Sequence, residues 1–112
     1  MSIYRDPARV EVLRGVDGIV FVADSQEPRG EANVEALENL EQELAAHGRA
    51  LVEVPTVLQY NKRDLPSALA VEVLDRMLNG AGRPRFETIA TRGVGVLEAL
   101  VALAGMLDGG GE

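Results

Sequence analysis

Three short polar groups, Asp24-Ser25, Asn61-Lys62-Arg63-Asp64 and Thr91-Arg92-Gly93, each follow an apolar run in this chain of 112 residues. The middle group carries the most specific chemistry. An ionised carboxylate such as Asp64 only accepts hydrogen bonds. It therefore suits a partner with two adjacent donors, and its charge strengthens such a bidentate pair. The methylene stem of Lys62 can cover an apolar face while its ammonium stays solvated. Arg would stack differently and is not equivalent. Lys62 is the one Lys beside ten Arg; a genomic bias toward Arg codons accounts for the Arg excess but not for the exception. Asn61 can tie neighbouring loops together through its amide. The same residues are also ordinary turn formers, and Asp64-Leu65-Pro66 could open a helix. Asp24-Ser25 could suggest a phosphoacceptor, as in response-regulator receivers. Those need further acidic residues at the end of an earlier strand, and none stands there, so a loop or cap role fits better.

The elements that would position these groups are three strands and three helices. Gly18-Ile19-Val20-Phe21-Val22-Ala23, Val54 to Tyr60 and Arg85 to Ala90 read as strands. Apolar runs without strict alternation suggest strands covered on both faces, as in parallel sheets. Between them, Glu31 to His47 carries Val34, Leu37, Leu40 and Leu44 on one helical stripe, with Gly48 as its stop. His47 reads as a helix-end residue. A second helix is expected from Pro66-Ser67 to Leu78, with Val73, Leu74, Met77 and Leu78 inward and Gly80 after it. A third is expected from Val96 to Leu107, with Leu97, Leu100, Val101, Ala104 and Leu107 inward. A short helix is expected over Val10 to Arg14, and residues 108–112, with three Gly, read as a frayed tail after a domain over 1–107. The alternation implies an α/β domain with right-handed crossovers. In such sheets ligands bind beyond the carboxyl ends of the strands, where all three polar groups fall.

Composition narrows the options. The length fits one small domain, and 46% hydrophobic with 26% charged residues is ordinary globular composition. Aromatics are 4%, so the core must be aliphatic, and the absence of Cys excludes disulfide scaffolds, thiolate metal sites and cysteine nucleophiles. One His makes no credible metal cluster, so no metal site and no catalytic residue are assigned. The formal charge of -7 argues against nucleic acid as a partner. No apolar run approaches the ~20 residues of a membrane span, and Met1 to Val10 lacks the apolar centre of a signal peptide. The expectation is a cytoplasmic chain.

Asn61-Lys62-Arg63-Asp64 after a buried strand resembles the guanine-reading Asn-Lys-x-Asp motif of GTP-binding proteins. In that motif the carboxylate takes the ring N1–H and the 2-amino group of guanine; adenine lacks that pair of donors and would leave Asp64 unpaired. The stretch Thr88 to Val96 is similar to the Ser-Ala-Lys loop of Ras-type GTPases, whose Ala N–H contacts the guanine carbonyl. Ala90 matches, while Ile89 replaces Ser and Thr91 replaces Lys. Leu13 to Ser25 and Gln59 to Pro66 resemble the MglA-type small Ras-like GTPases of bacterial gliding motility and cell polarity. The likeness runs from about Tyr4 to the last helix and covers only the C-terminal part of that family. It implies a partial Ras-like parallel sheet of about three strands with flanking helices, and a guanine site at Asn61, Lys62, Asp64, Ala90 and Thr91. GTP or GDP is the implied ligand, and a roadblock-type regulator the implied partner.

No Gly-x-x-x-x-Gly-Lys-Ser/Thr segment stands in these 112 residues. Without it no backbone cradle or Lys holds the phosphates, and no hydroxyl holds Mg²⁺. Both switch regions are missing too. Phosphoryl transfer rests on such positioning, so the expectation is weak or absent nucleotide binding, no Mg²⁺ and no GTP hydrolysis by these residues alone. The strand that Ras-like sheets place beside Gly18–Ala23 is also missing. Its open edge is expected to be covered by self-association, by a rearranged Met1–Arg5, or by another polypeptide. Three readings stay open: a piece of an MglA-type GTPase, a catalytically dead protein-interaction module derived from one, or an unrelated doubly wound domain.

Overall fold

The computed structural model describes residues 3–4 and 17–109. Four parallel strands stand side by side in the order β1 (Ile3–Tyr4), β2 (Gly18–Asp24), β3 (Thr56–Asn61) and β4 (Arg85–Glu87). Helices α1 (Gly30–Ala46), α2 (Val71–Leu78) and α3 (Val96–Gly109) connect or follow them. This is the α/β architecture read from the sequence, with a two-residue strand added. The short helix expected over Val10 to Arg14 lies outside the described residues, as do residues 110–112, while Asp108 and Gly109, expected in the frayed tail, continue α3.

Successive strand residues face opposite sides, so the apolar strands feed two cores. Ile19, Phe21, Ala23, Leu58 and Tyr60 pack with Leu40 and Leu44 of α1 and Leu74 and Leu78 of α2. Val20 and Val57 face the other way and pack with Ala99 and Leu103 of α3. On that second face the expected phase of α3 holds only in part: Leu100 and Leu107 pack against this core as expected, but the helix is turned further toward Ala99 and Leu103. Leu97 and Val101 are 66% and 62% exposed, while Ala99 and Leu103 are fully buried. The helix carries apolar residues around most of its circumference, so its sequence holds no clear stripe. Gly18 helps to set the phase: a Cβ there would lie 3.0 Å from Leu103 Cδ1.

Several boundaries differ from expectation, three of them by two residues or more for a reason visible in the backbone hydrogen bonds. Strand β3 begins at Thr56, not Val54, because Leu51–Glu53 forms a 3-10 turn closed by the Val54 N–H on the Leu51 carbonyl. Helix α2 begins at Val71, not Pro66. The segment before it spends its backbone groups on the β2–α1 loop: Glu27 N–H donates to the Ser67 carbonyl and Leu69 N–H to the Ser25 carbonyl. Strand β4 stops at Glu87 because Ile89 and Val94 exchange backbone hydrogen bonds and fold the chain back on itself.

Ile3 and Tyr4 pair with Gly18 and Ile19, so the edge expected to be open is covered at its start by the N-terminal segment. From Val20 to Asp24 that edge has no strand partner among the described residues.

Candidate functional site

Parallel pairing brings every strand's carboxyl end to one mouth, and register sets who meets there. Asp24, the last residue of β2, lies opposite Asn61, the last residue of β3. Asp24 is fixed through its main chain. The Asn33 amide, on α1, donates to the Asp24 carbonyl at 2.7 Å and accepts the Asp24 N–H at 3.1 Å. The Asp24 carboxylate then takes the Gln26 N–H at 3.1 Å, the Gln26 amide at 3.0 Å and the Lys62 ammonium at 2.9 Å. Partial burial works to raise its pKa, but the hydrogen bonds from Lys62 and Gln26 and the Lys62 charge outweigh it and hold the carboxyl below its ordinary value.

Asn61 joins the two loops. Its Oδ1 accepts the Ala90 N–H at 2.9 Å and the Thr88 hydroxyl at 3.1 Å. A backbone N–H can only donate, so Oδ1 must face Ala90. The amide therefore ties loops together as its residue type suggested. One consequence bears on the expected site: the Ala90 N–H is already engaged by Asn61. Thr91 follows it in an exposed 3-10 turn, Ala90–Arg92, that Gly93 closes at φ 70°.

Lys62 adopts φ 63°, a left-handed conformation uncommon for a residue with a Cβ. It turns the chain sharply off the strand. The following turn is closed by the Leu65 N–H on the Lys62 carbonyl at 3.2 Å, with Arg63 and Asp64 at its centre. Arg63 is braced: its N–H donates to the Thr88 carbonyl, its Nε to Glu87 Oε1 at 3.1 Å, and a terminal nitrogen to the Leu69 carbonyl. Asp64 stands exposed beyond it, and no donor among the described residues engages its carboxylate. The ammonium of Lys62 stays on a half-exposed side chain, as its chemistry suggested, and also pairs with a carboxylate. The register of β2 against β3 sets Asp24 beside it.

Gln26, Asn33 and Gly95 were not singled out as parts of this mouth. Asp24 was visible as a polar residue ending a strand, but its partner depends on register. Gly95 sits at φ 77°, and a Cβ there would lie 2.3 Å from the Glu87 carbonyl oxygen. Only Gly lets the second loop close on β4. Among the described residues no cluster of three His, Cys, Asp or Glu could hold a metal ion. No described helix is long and apolar enough to cross a membrane.

Strand order, two-sided helical cover and loops gathered at the carboxyl ends define a partial Ras-like α/β domain. Over 103 residues, 92% of its length, the chain is 50% identical to the mutual gliding-motility protein MglA of Myxococcus xanthus (strain DK1622). It is thus related to the C-terminal part of an MglA-type small GTPase. It spans about half, 53%, of that relative's length. No family model matches the chain.

Proposed function

We propose that this chain supplies the base-recognition part of a guanine-nucleotide site of the MglA type. Asp64 takes the N1–H and 2-amino group of guanine. Asn61 holds the Thr88–Thr91 loop against it, and Thr91 and Ala90 border the purine's carbonyl edge. Lys62 lays its stem on the base plane. The observation that supports this most is the Asn61 bridge, which draws the two loops into one mouth and leaves the Asp64 carboxylate exposed. These 112 residues hold no phosphate-binding segment. By themselves they bind the base weakly, at about millimolar concentration, take no Mg²⁺ and do not hydrolyse GTP.

The test is a titration of the chain with guanosine, inosine and adenosine, followed by amide shifts in NMR spectra. Guanosine should perturb residues 61–65 and 88–91 more strongly than inosine, which lacks the 2-amino group. Asp64→Asn should abolish that preference. Equal responses to all three nucleosides would refute the proposal.

The edge of β2 from Val20 to Asp24, which no strand pairs among the described residues, favours a second reading, a protein-interaction module derived from the same family. On this reading the chain pairs through that edge with itself or with a regulator of the roadblock type. Sedimentation over a concentration series reports the first. A monomer at all concentrations that captures no purified roadblock-type protein would exclude both.

A further inference from the structure

The end of β2 lies outside the Asn-Lys-x-Asp segment, yet its last residue, Asp24, pairs with that segment's Lys62. Asp24 is held by partners other than Lys62. Asn33, itself buried, clamps its main chain at 2.7 and 3.1 Å. Gln26 fixes its Oδ1 through both backbone and side-chain nitrogens, and the Gln26 Oε1 is in turn within 3.3 Å of the Ser67 hydroxyl. The result is a carboxylate set at a defined place. A Lys side chain carries more rotamer entropy than most. A free Lys62 would lose much of that on packing against a base, and an anchored one has lost it already.

We propose that Asp24 is a positioning residue for the purine platform: by anchoring the Lys62 ammonium at 2.9 Å it holds the Lys62 stem ready for the base plane. This rests on the base site proposed above, and it adds a distinct expectation. The stem touches the flat face, which guanine and inosine share, whereas Asp64 reads the edge, where they differ. Loss of the anchor should therefore weaken both nucleosides alike.

The experiment measures guanosine and inosine affinities by NMR titration of the whole chain and four variants, together with relaxation of the Lys62 ε-methylene group. Asp24→Asn keeps an acceptor for Gln26 but removes the charge; roughly two- to fivefold weaker binding of both nucleosides is expected, with their ratio unchanged. Asp24→Glu should recover part of the loss. Lys62→Met keeps the stem and removes the anchor from the other side, so it should match Asp24→Asn even where the latter folds poorly. The methylene should be ordered in the parent chain and mobile in Asp24→Asn. If Asp64→Asn abolishes the guanosine preference while Asp24→Asn and Lys62→Met leave both affinities unchanged, this inference fails and the base site stands. A methylene equally mobile in parent and variant also overturns it. No guanosine response in the parent chain overturns the base site and this inference together.

Discussion

Asn61 Oδ1 and the Ala90 N–H meet at 2.9 Å, across a sequence separation of 29 residues. That bond, with the Thr88 hydroxyl on the same oxygen, fastens the loop after β4 to the end of β3. Asn61→Ala should leave Ala90 and the buried Thr88 hydroxyl without their acceptor. A loss of about 1–3 kcal/mol is expected in urea unfolding. The guanosine-dependent shifts of residues 88–91 should vanish with it.

Gly95 and Gly105 make opposite predictions for one and the same substitution. At Gly95 an added Cβ meets the Glu87 carbonyl oxygen at 2.3 Å with φ at 77°, whereas at Gly105 it meets nothing within 4 Å. Gly95→Ala should cost about 2 kcal/mol or more. Gly105→Ala, in the interior of α3, should stabilise by about 0.5–1 kcal/mol. The shift of the urea midpoint gives the sign in each case.

The phase of α3 is testable with two leucines. Leu103 is fully buried and Leu97 is 66% exposed. Leu103→Ala should destabilise by about 2–4 kcal/mol, and Leu97→Ala by no more than about 0.5 kcal/mol. The reverse order in thermal or urea unfolding would show that the helix is rotated.

Acid should weaken the fold. Asp24 and Asp75 both have carboxyl pKa values below the ordinary 3.8. For Asp75, burial pushes upward, but hydrogen bonds from the Tyr60 hydroxyl and Arg85, with the Arg85 charge, outweigh it. A depressed folded-state pKa means that the unfolded chain takes up the proton first. The stabilisation is therefore present above about pH 4 and lost as pH falls through the folded-state values. Urea midpoints from pH 7 down to pH 3 should fall, and the fall should be shallower in Asp24→Asn.

Tyr60 makes the opposite excursion. It is fully buried, its hydroxyl donates to Asp75 Oδ1 at 2.8 Å, and burial followed by the Asp75 hydrogen bond and charge pushes its pKa above the ordinary 10. Ultraviolet titration should therefore show a tyrosine that stays protonated past pH 10 until the protein unfolds. Tyr60→Phe should remove that delayed step and cost about 1 kcal/mol.

The strand–helix alternation and the placing of Asn61, Lys62 and Asp64 at a strand's end were legible in the sequence, because apolar runs and turn residues are local signals. So was the inward stripe of α1 through Leu40 and Leu44, since its other faces are polar. The phase of α3 was legible only in part, because apolar residues surround most of that helix and only packing against Gly18, Val20 and Val57 selects Leu103. The start of α2 at Val71 was hidden as well. Pro66 is a good helix opener, yet the backbone of Ser67 to Leu69 finds its partners on a loop some 40 residues earlier. The pairing of Asp24 with Lys62 depends on the register of β2 against β3, whose partnered residues, such as Asp24 and Asn61, stand 37 residues apart in sequence. Residue types thus declared which groups could read a purine edge. Which carboxylate would hold the lysine, and which amide would close the mouth, was decided by tertiary contacts, because a hydrogen bond needs two groups in one place and sequence distance carries no record of that.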